Sequence, residues 1–197
     1  MPSTSELKTD LLRQIQPLDP QQALLPAPYP DIDATIEQLE PCTPIAAPLE
    51  PPQWPALLGS WRLIYASRGT VVTRQLSGTD ASGPPPVAIQ RVWQTLWSDA
   101  ASLKTENGAD LQLPWLGTLR LQAQGSWKPE DDQSALVTFD RFRFQLTPAG
   151  LGWSLPPLTI PLPGFMQRQA LWTTSYLDGE LRVGRGATGN LFVFQRQ

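Results

Sequence analysis

Apolar positions recur with two different periods along the chain. In the first forty residues the period is that of a helix, and Ser3 and Glu6 have capping-box spacing, so a helix is predicted over residues 3–16. A second helix is predicted over residues 31–40, with Asp31 as its N-cap. The apolar positions that share a face of the first helix are Leu7, Leu11, Leu12 and Ile15.

The segments between and after these helices, residues 17–30 and 41–55, are rich in proline and are predicted to be extended. From residue 59 the period changes to two, which is typical of strands with one buried face. Strands are predicted at Trp61–Tyr65, Val71–Leu76, Ala88–Trp97, Leu103–Glu106, Leu111–Leu113, Thr118–Trp127, Leu136–Leu146, Leu171–Leu177, Leu181–Val183 and Leu191–Gln195.

Turn signals separate several of these strands. Asn107-Gly108 and Asp178-Gly179 are favoured hairpin turns, and the last hairpin is predicted to turn across residues 186–190. The apolar phase shifts within Leu136–Leu146, which predicts a bulge near Asp140-Arg141. The four prolines of Leu155–Gly164 exclude a central strand there.

Antiparallel strands at this spacing predict an all-β fold, either a sandwich or a barrel. We favour an up-and-down barrel of eight or nine strands, because a barrel of eight has room for one small ligand. The predicted domains are a helical, proline-rich N-terminal arm at residues 1–56 and a β-barrel at residues 57–197.

Composition narrows the chemistry. The chain has no histidine, which removes the usual proton shuttle and the commonest metal ligand, and its one cysteine, Cys42, cannot form an internal disulfide. The adjacent acids Asp131 and Asp132 are assigned to a solvated turn. We therefore predict no enzymatic activity, no metal site and no bound cofactor.

The net charge of −3 is divided unevenly. Residues 1–57 hold two basic and eight acidic groups (−6), and residues 58–197 hold thirteen basic and ten acidic groups (+3). This excess is too weak to favour nucleic-acid binding but suits an anionic lipid surface. There is no apolar run long enough for a membrane-spanning helix, and the acidic N-terminus lacks a signal core, so we expect a bacterial-type or already mature intracellular protein.

Several motifs resemble the plastid-lipid-associated, or fibrillin, family. Gly59-Ser60-Trp61 is similar to the Gly-x-Trp opening of many lipocalin barrels. The family's ending is matched more specifically, by Tyr176-Leu177-Asp178, Arg182-Val183-Gly184-Arg185-Gly186 and Gly189-Asn190-Leu191-Phe192. The resemblance implies a lipocalin-like barrel from a photosynthetic organism, of cyanobacterial type or from a plastid. It further implies association with thylakoids or lipid globules (plastoglobules), and with isoprenoids, quinones, carotenoids or other lipids.

Candidate binding residues follow from strand parity. The residues predicted to line the barrel are Trp61, Leu63, Tyr65, Arg91, Trp93, Trp97, Phe142, Phe144 and Trp172. Arg91 either binds a ligand head group or is satisfied by an internal acid, because a buried charge requires a partner. A structural role is predicted for the family-motif residues Gly59, Asp178, Arg182, Arg185, Gly186 and Gly189, the last two with positive φ.

Two functions remain open. The first is a carrier that holds an apolar small molecule in the barrel. The second is a coat protein with a filled barrel that binds the thylakoid or globule surface. The proline-rich segment Leu155–Gly164, with Phe165 and Met166 behind it, is either an exposed apolar lip or a rigid lid packed on the same domain. An enzyme is the least favoured function.

Overall fold

The computed structural model of the protein describes residues 2–69, 87–99 and 102–197. The strand predicted at Val71–Leu76 lies outside these residues. The helices of the described residues are α1 (Thr4–Ile15), α2 (Pro20–Leu24), α3 (Pro30–Leu39) and α4 (Trp54–Leu57). The strands are β1 (Gly59–Ala66), β2 (Ala88–Asp99), β3 (Ser102–Leu113), β4 (Gly117–Pro129), β5 (Ser134–Pro148), β6 (Leu158–Pro161), β7 (Gln169–Leu177), β8 (Leu181–Gly186) and β9 (Leu191–Arg196).

Eight of the strands form a closed, barrel-like ring. Each pairs antiparallel with its neighbours in the order β1-β2-β3-β4-β5-β7-β8-β9, and β9 pairs with β1 to close the ring. The remaining strand, β6, pairs with β5 as an edge strand, as expected for a segment so rich in proline. The all-β fold with a short N-terminal helical region is therefore confirmed.

The N-terminal helices differ in how well the sequence predicted them. Helix α1 begins after the capping box of Ser3 and Glu6, as predicted. Helix α3 begins at Pro30 with Tyr29 as its N-cap, so Asp31 lies in the first turn, where a negative charge is favourable, and is not the cap. The segment predicted to be extended contains α2, which Asp19 caps through its own capping box.

The predicted bulge in β5 is confirmed. Gly125 of β4 pairs with Phe139 and Gln124 pairs with Arg141, which leaves Asp140 as the extra residue. The turn predicted at Asn107-Gly108 is wrong, because β3 runs straight through both residues. A Cβ atom on Gly108 would lie 2.1 Å from the ring of Trp93, so this glycine makes room for an indole on the neighbouring strand.

Two apolar clusters hold the molecule together. The first fills the ring, with members from seven of its strands and from α2. The second lies between α1, α3 and the outer faces of β1, β7, β8 and β9. The N-terminal helices therefore pack directly on the strands, and each of the two helices in the outer cluster buries one apolar stripe.

Candidate functional site

One end of the ring interior is filled around a buried arginine. Arg182 on β8 is fully buried, and its guanidinium carbon lies 5.0 Å from the ring centre of Trp61, 4.5 Å from Phe194 and 6.0 Å from Trp127. Burial and the like charge of Arg196 lower the pKa of Arg182 to about 9, so it remains a cation at neutral pH.

A second aromatic group occupies the middle of the interior. Trp172 of β7 lies 5.3 Å from Phe192 and 6.0 Å from Trp127 between ring centres, and Leu63 belongs to the same cluster. A Cβ atom on Gly184 would lie 2.0 Å from the Trp172 ring, so the absence of a side chain at this position leaves room for the indole.

Among the described residues, nothing covers the other end of the ring, which we call the open end. Phe142 and Phe144 pair with Ala123 and Leu121 of β4, and paired residues lie on the same face of a sheet, so both phenylalanines face inward. Phe142 nevertheless remains 37% exposed. The reason is that β4, β5 and β6 extend beyond the shorter strands β7, β8 and β9 at this end.

Exposed apolar side chains lie on the connections where these long strands end and continue along the edge strand β6, whose Leu158 and Ile160 pair with Phe144 and Phe142, to the turn after it. We call them the apolar edge: Trp115, Leu116, Leu151, Trp153, Leu155, Leu158, Ile160 and Phe165, which are between 37% and 89% exposed. Backbone hydrogen bonds connect the segments that carry them. The Ala149 N–H donates to Leu116 O (3.1 Å), Leu155 N–H donates to Leu146 O (2.8 Å), and β6 pairs with β5.

Trp115 is the most unusual member of the apolar edge. It lies in the β3–β4 turn with φ of 68°, in the left-handed region that an L-residue adopts only at a cost, and its side chain is 89% exposed. The segments that carry the apolar edge, residues 113–125 and 139–168, contain four arginines and one acid, Asp140, but Arg120 is paired with Asp110 of β3 and Arg141 with Asp140.

Four of the predicted lining residues lie elsewhere. Tyr65 follows a bulge in β1 and faces the helices, where its hydroxyl donates to Asp33 of α3 (2.7 Å). Arg91, Trp93 and Trp97 follow a bulge between Ile89 and Arg91, which moves them to the outer face of β2. The inner positions of this strand are Ile89, Val92, Gln94 and Leu96.

Arg91 belongs to a polar cluster on the outer face. Its Nε donates to Asp110 of β3 (2.7 Å), and Arg120 of β4 donates to the same carboxylate (2.8 Å). Burial acts to raise the pKa of Asp110, but the hydrogen bonds from both arginines hold it below its usual value. Arg91 also lines a cleft of about 590 Å³ between the N-terminal helices and β1–β2.

The remaining motif residues anchor the N-terminal helices. Asp178 accepts hydrogen bonds from Lys8 Nζ on α1 (2.8 Å) and from the backbone N–H groups of Glu180 and Leu181. Arg185 faces outward and donates to Glu40, at the end of α3 (2.7 Å). The turn itself is centred on Gly179-Glu180, one residue later than predicted, with Asp178 as its first residue.

The three glycines of the predicted motif differ in backbone conformation and in the contacts that require a small residue. Gly59 has φ of 125°, and a Cβ atom there would lie 2.9 Å from Nη1 of Arg196. Gly189 has the expected positive φ of 76°, whereas Gly186 does not have a positive φ. Gly186 faces inward opposite Trp172, so its small size serves the interior and not a turn.

Sequence reasoning missed several important positions. Trp127 and Phe194 have the correct parity but were not selected as lining residues, and the part of the apolar edge outside Leu155–Phe165 was not predicted. Trp115 and Trp153 sit beside Pro and Gly in short connections, and that combination was the available signal.

None of the helices in the described ranges is long and apolar enough to cross a bilayer.

Comparisons with known proteins identify the family. The chain is 27% identical over 204 residues to plastoglobulin-1, chloroplastic, from Pisum sativum, which covers 85% of this chain and 54% of that protein. It is also 27% identical over 199 residues to plastid lipid-associated protein 3, chloroplastic, from Brassica campestris, covering 82% and 52% respectively.

The chain therefore spans about half the length of these curated relatives. No solved structure matches it. The family model described as PAP_fibrillin matches residues 5–195, nearly the whole chain, and the protein belongs to this family.

Proposed function

We propose that this protein binds the surface of lipid globules or of photosynthetic membranes through the apolar edge, without chemical catalysis. The observation that carries the proposal is the exposure of eight large apolar side chains on connected segments. Soluble monomers rarely expose contiguous apolar patches of more than a few hundred Å², and larger patches mark interaction sites. The names of the relatives, plastoglobulin and plastid lipid-associated protein, point to the same kind of surface.

The charge around the apolar edge supports a lipid partner. Arg143 and Arg168 add positive charge to its segments, in which Arg120 and Arg141 are already paired with Asp110 and Asp140. Basic groups near an anionic lipid surface contribute roughly 1 kcal/mol each at best. Tryptophan at exposed turns suits the interface, because its ring is apolar and its N–H can remain hydrated. The protein is accordingly peripheral, in a plastid or in a cyanobacterial cell.

The open end of the ring favours a second candidate function, the carrying of an apolar molecule. Phe142 and Phe144 face inward and remain accessible from that end. An isoprenoid, quinone or carotenoid lying against them would continue the apolar face toward Trp172. Filling of the opposite end by Trp61, Arg182 and Phe194 restricts such a ligand to the open half.

Flotation with artificial lipid droplets tests the first function. Droplets with a triacylglycerol core and an anionic monolayer are mixed with the protein and floated on a density gradient. The triple variant Leu158→Ser/Ile160→Ser/Phe165→Ser removes exposed side chains from the edge strand and the turn after it, so we expect it to remain folded and to stay below the droplets.

The matched control is Trp97→Thr. It also removes a partly exposed apolar side chain, but Trp97 lies on the outer face of β2, four strands from β6 in the sheet order. This variant should float like the wild type. Equal flotation of the triple variant and the wild type would contradict surface binding by the apolar edge.

A further inference from the structure

The cleft between the N-terminal helices and the outer face of β1–β2 has apolar walls. Its volume of about 590 Å³ lies within the range of ~300–1,000 Å³ that is usual for small-molecule sites. Leu12 of α1, Leu18 and Ile64 of β1 line it and are only half-buried, so part of their apolar surface is accessible. Leu18 packs against both apolar clusters, which places the cleft where the two clusters meet. An apolar chain that displaces water from these walls gains hydrophobic stabilisation.

The rim of the cleft is basic. Three arginines line it, Arg13, Arg62 and Arg91, and none of its described lining residues is an acid. Arg13 is paired with Asp10 on the exposed side of α1. Arg62 lies exposed on the outer face of β1, opposite Trp93 of β2, and forms no ion pair with a described residue. Arg62 is therefore a cation whose charge is left for a ligand.

Arg91 is held in position at the same rim. Its Nε donates to Asp110 (2.7 Å), and its guanidinium carbon lies 4.6 Å from the ring centre of Trp93. Its two Nη groups have no acceptor among the described residues, and the side chain is 44% exposed. Asp110 also neutralises Arg120, so two guanidinium groups share one carboxylate and this cluster retains a charge of +1. Arg62 adds one positive charge and the paired arginine of α1 adds none, so the rim and its partners carry a net charge of +2.

We propose that this cleft binds a single-chain lipid whose head group is a phosphate monoester. The apolar chain lies against Leu12, Leu18 and Ile64, and the phosphate oxygens accept hydrogen bonds from Arg62 and from the Nη groups of Arg91. A phosphate monoester carries a charge of roughly −1.5 to −2 at neutral pH, which matches the charge of the rim. Guanidinium groups are suited to it because they bind two phosphate oxygens at once. The cleft shares no residue with the apolar edge, so this proposal does not depend on the binding of a lipid surface.

The test uses dodecyl phosphate, dodecanol and inorganic phosphate as probes. Dodecyl phosphate is kept below its aggregation concentration, without vesicles, and binding is measured by equilibrium dialysis. We expect saturable one-to-one binding of dodecyl phosphate, roughly tenfold tighter than that of dodecanol, which has the same chain without the charge. Inorganic phosphate lacks the chain and should bind about a hundredfold more weakly than dodecyl phosphate. Equal affinity for dodecyl phosphate and dodecanol would overturn the proposal, and so would inorganic phosphate that binds as tightly as dodecyl phosphate.

Variants locate the site. Arg62→Gln removes the unpaired charge from an exposed position, so it should fold normally and lose most of the preference for dodecyl phosphate over dodecanol. The matched control is Arg141→Gln, which removes the same charge from an exposed position on β5, across the ring from β1, and should keep the preference. An unchanged preference in Arg62→Gln, or an equal loss in both variants, would overturn the proposal.

A substitution in the apolar wall tests the chain. Leu12→Gln makes the wall polar on the exposed side of α1 and should weaken the binding of dodecyl phosphate and of dodecanol alike, and thermal unfolding shows whether the variant remains folded. Undiminished binding of both probes by the folded variant would contradict the position of the chain. If Leu12→Gln does not fold, the comparison of Arg62→Gln with Arg141→Gln decides.

Discussion

Replacement of Trp115 by glycine separates lipid binding from folding. Trp115 has φ of 68° and is 89% exposed, so its side chain supports neither the turn nor a core. An L-residue in this conformation costs roughly 1–2 kcal/mol, whereas glycine adopts it freely but loses about 0.5–1 kcal/mol more through backbone entropy. The two effects oppose each other, and we expect the free energy of unfolding to change by less than about 1 kcal/mol.

The effect on lipid binding is larger. An indole of this exposure presents roughly 200 Å² to water, and transfer of about half of that area into lipid contributes about 2.5 kcal/mol at 25 cal/mol/Å². Loss of the ring should therefore weaken partitioning roughly 70-fold.

Vesicle co-sedimentation over a range of lipid concentrations gives the partition coefficient, and thermal unfolding gives the stability. Trp115→Phe is the matched control, because it keeps the backbone strain and most of the apolar area. This variant should bind within a few-fold of the wild type. A Trp115→Gly protein that partitions like the wild type, or one that binds weakly only because it has unfolded, would refute the reasoning.

Two further substitutions test the packing and the helix anchor. Gly184→Ala places a Cβ atom 2.0 Å from the Trp172 ring in the interior, so it should lower the free energy of unfolding by about 1–3 kcal/mol in urea titrations. An unchanged midpoint would contradict the conclusion that this position must lack a side chain to leave room for the indole. Although burial acts to raise the pKa of Asp178, hydrogen bonds from Lys8 and two backbone N–H groups hold it below its usual value. The folded state then binds fewer protons than the unfolded state, so the stability from Asp178 is present above the unfolded pKa and lost as pH falls through the folded pKa. Asp178→Asn should flatten this acid limb of the stability profile and cost about 1–2 kcal/mol at pH 7, while a parallel profile would show that the anchor is not ionic.

Structural features that depend on residues close together in the sequence, such as a helix start or a bulge, were predicted correctly where the sequence carries a clear pattern. The capping box fixed the start of α1, and the apolar phase was visible on both sides of Asp140, so the bulge in β5 followed from the sequence. Helix α2 was not predicted because its start, Asp19 followed by Pro20, lies within a proline-rich segment that was taken to be extended. Proline is in fact tolerated at the first position of a helix.

Bulges without such signals account for the errors in the predicted site. A bulge between Ile89 and Arg91 reverses the parity of β2, so Trp93 and Trp97 lie on its outer face. Because both are large and apolar and lie four residues apart, their spacing resembles that of residues on a buried face. Trp93 is accommodated there because Gly108 on β3 leaves room for its ring, and that glycine was interpreted as a turn. Side chains that pack across strands thus determined which apolar residues face inward, and the spacing along one strand does not contain that information.

Quenching of tryptophan fluorescence by lipids brominated in the acyl chain tests the central claim most directly. Bromine quenches by contact, so it reports which indoles enter the lipid. The surface-binding account predicts that vesicles of brominated lipid quench the wild type, and that Trp115→Phe/Trp153→Phe loses most of this quenching, whereas Trp93→Phe/Trp97→Phe retains it. Quenching that survives in Trp115→Phe/Trp153→Phe and disappears in Trp93→Phe/Trp97→Phe would place the lipid contact on the opposite side of the ring and contradict the assignment of the apolar edge.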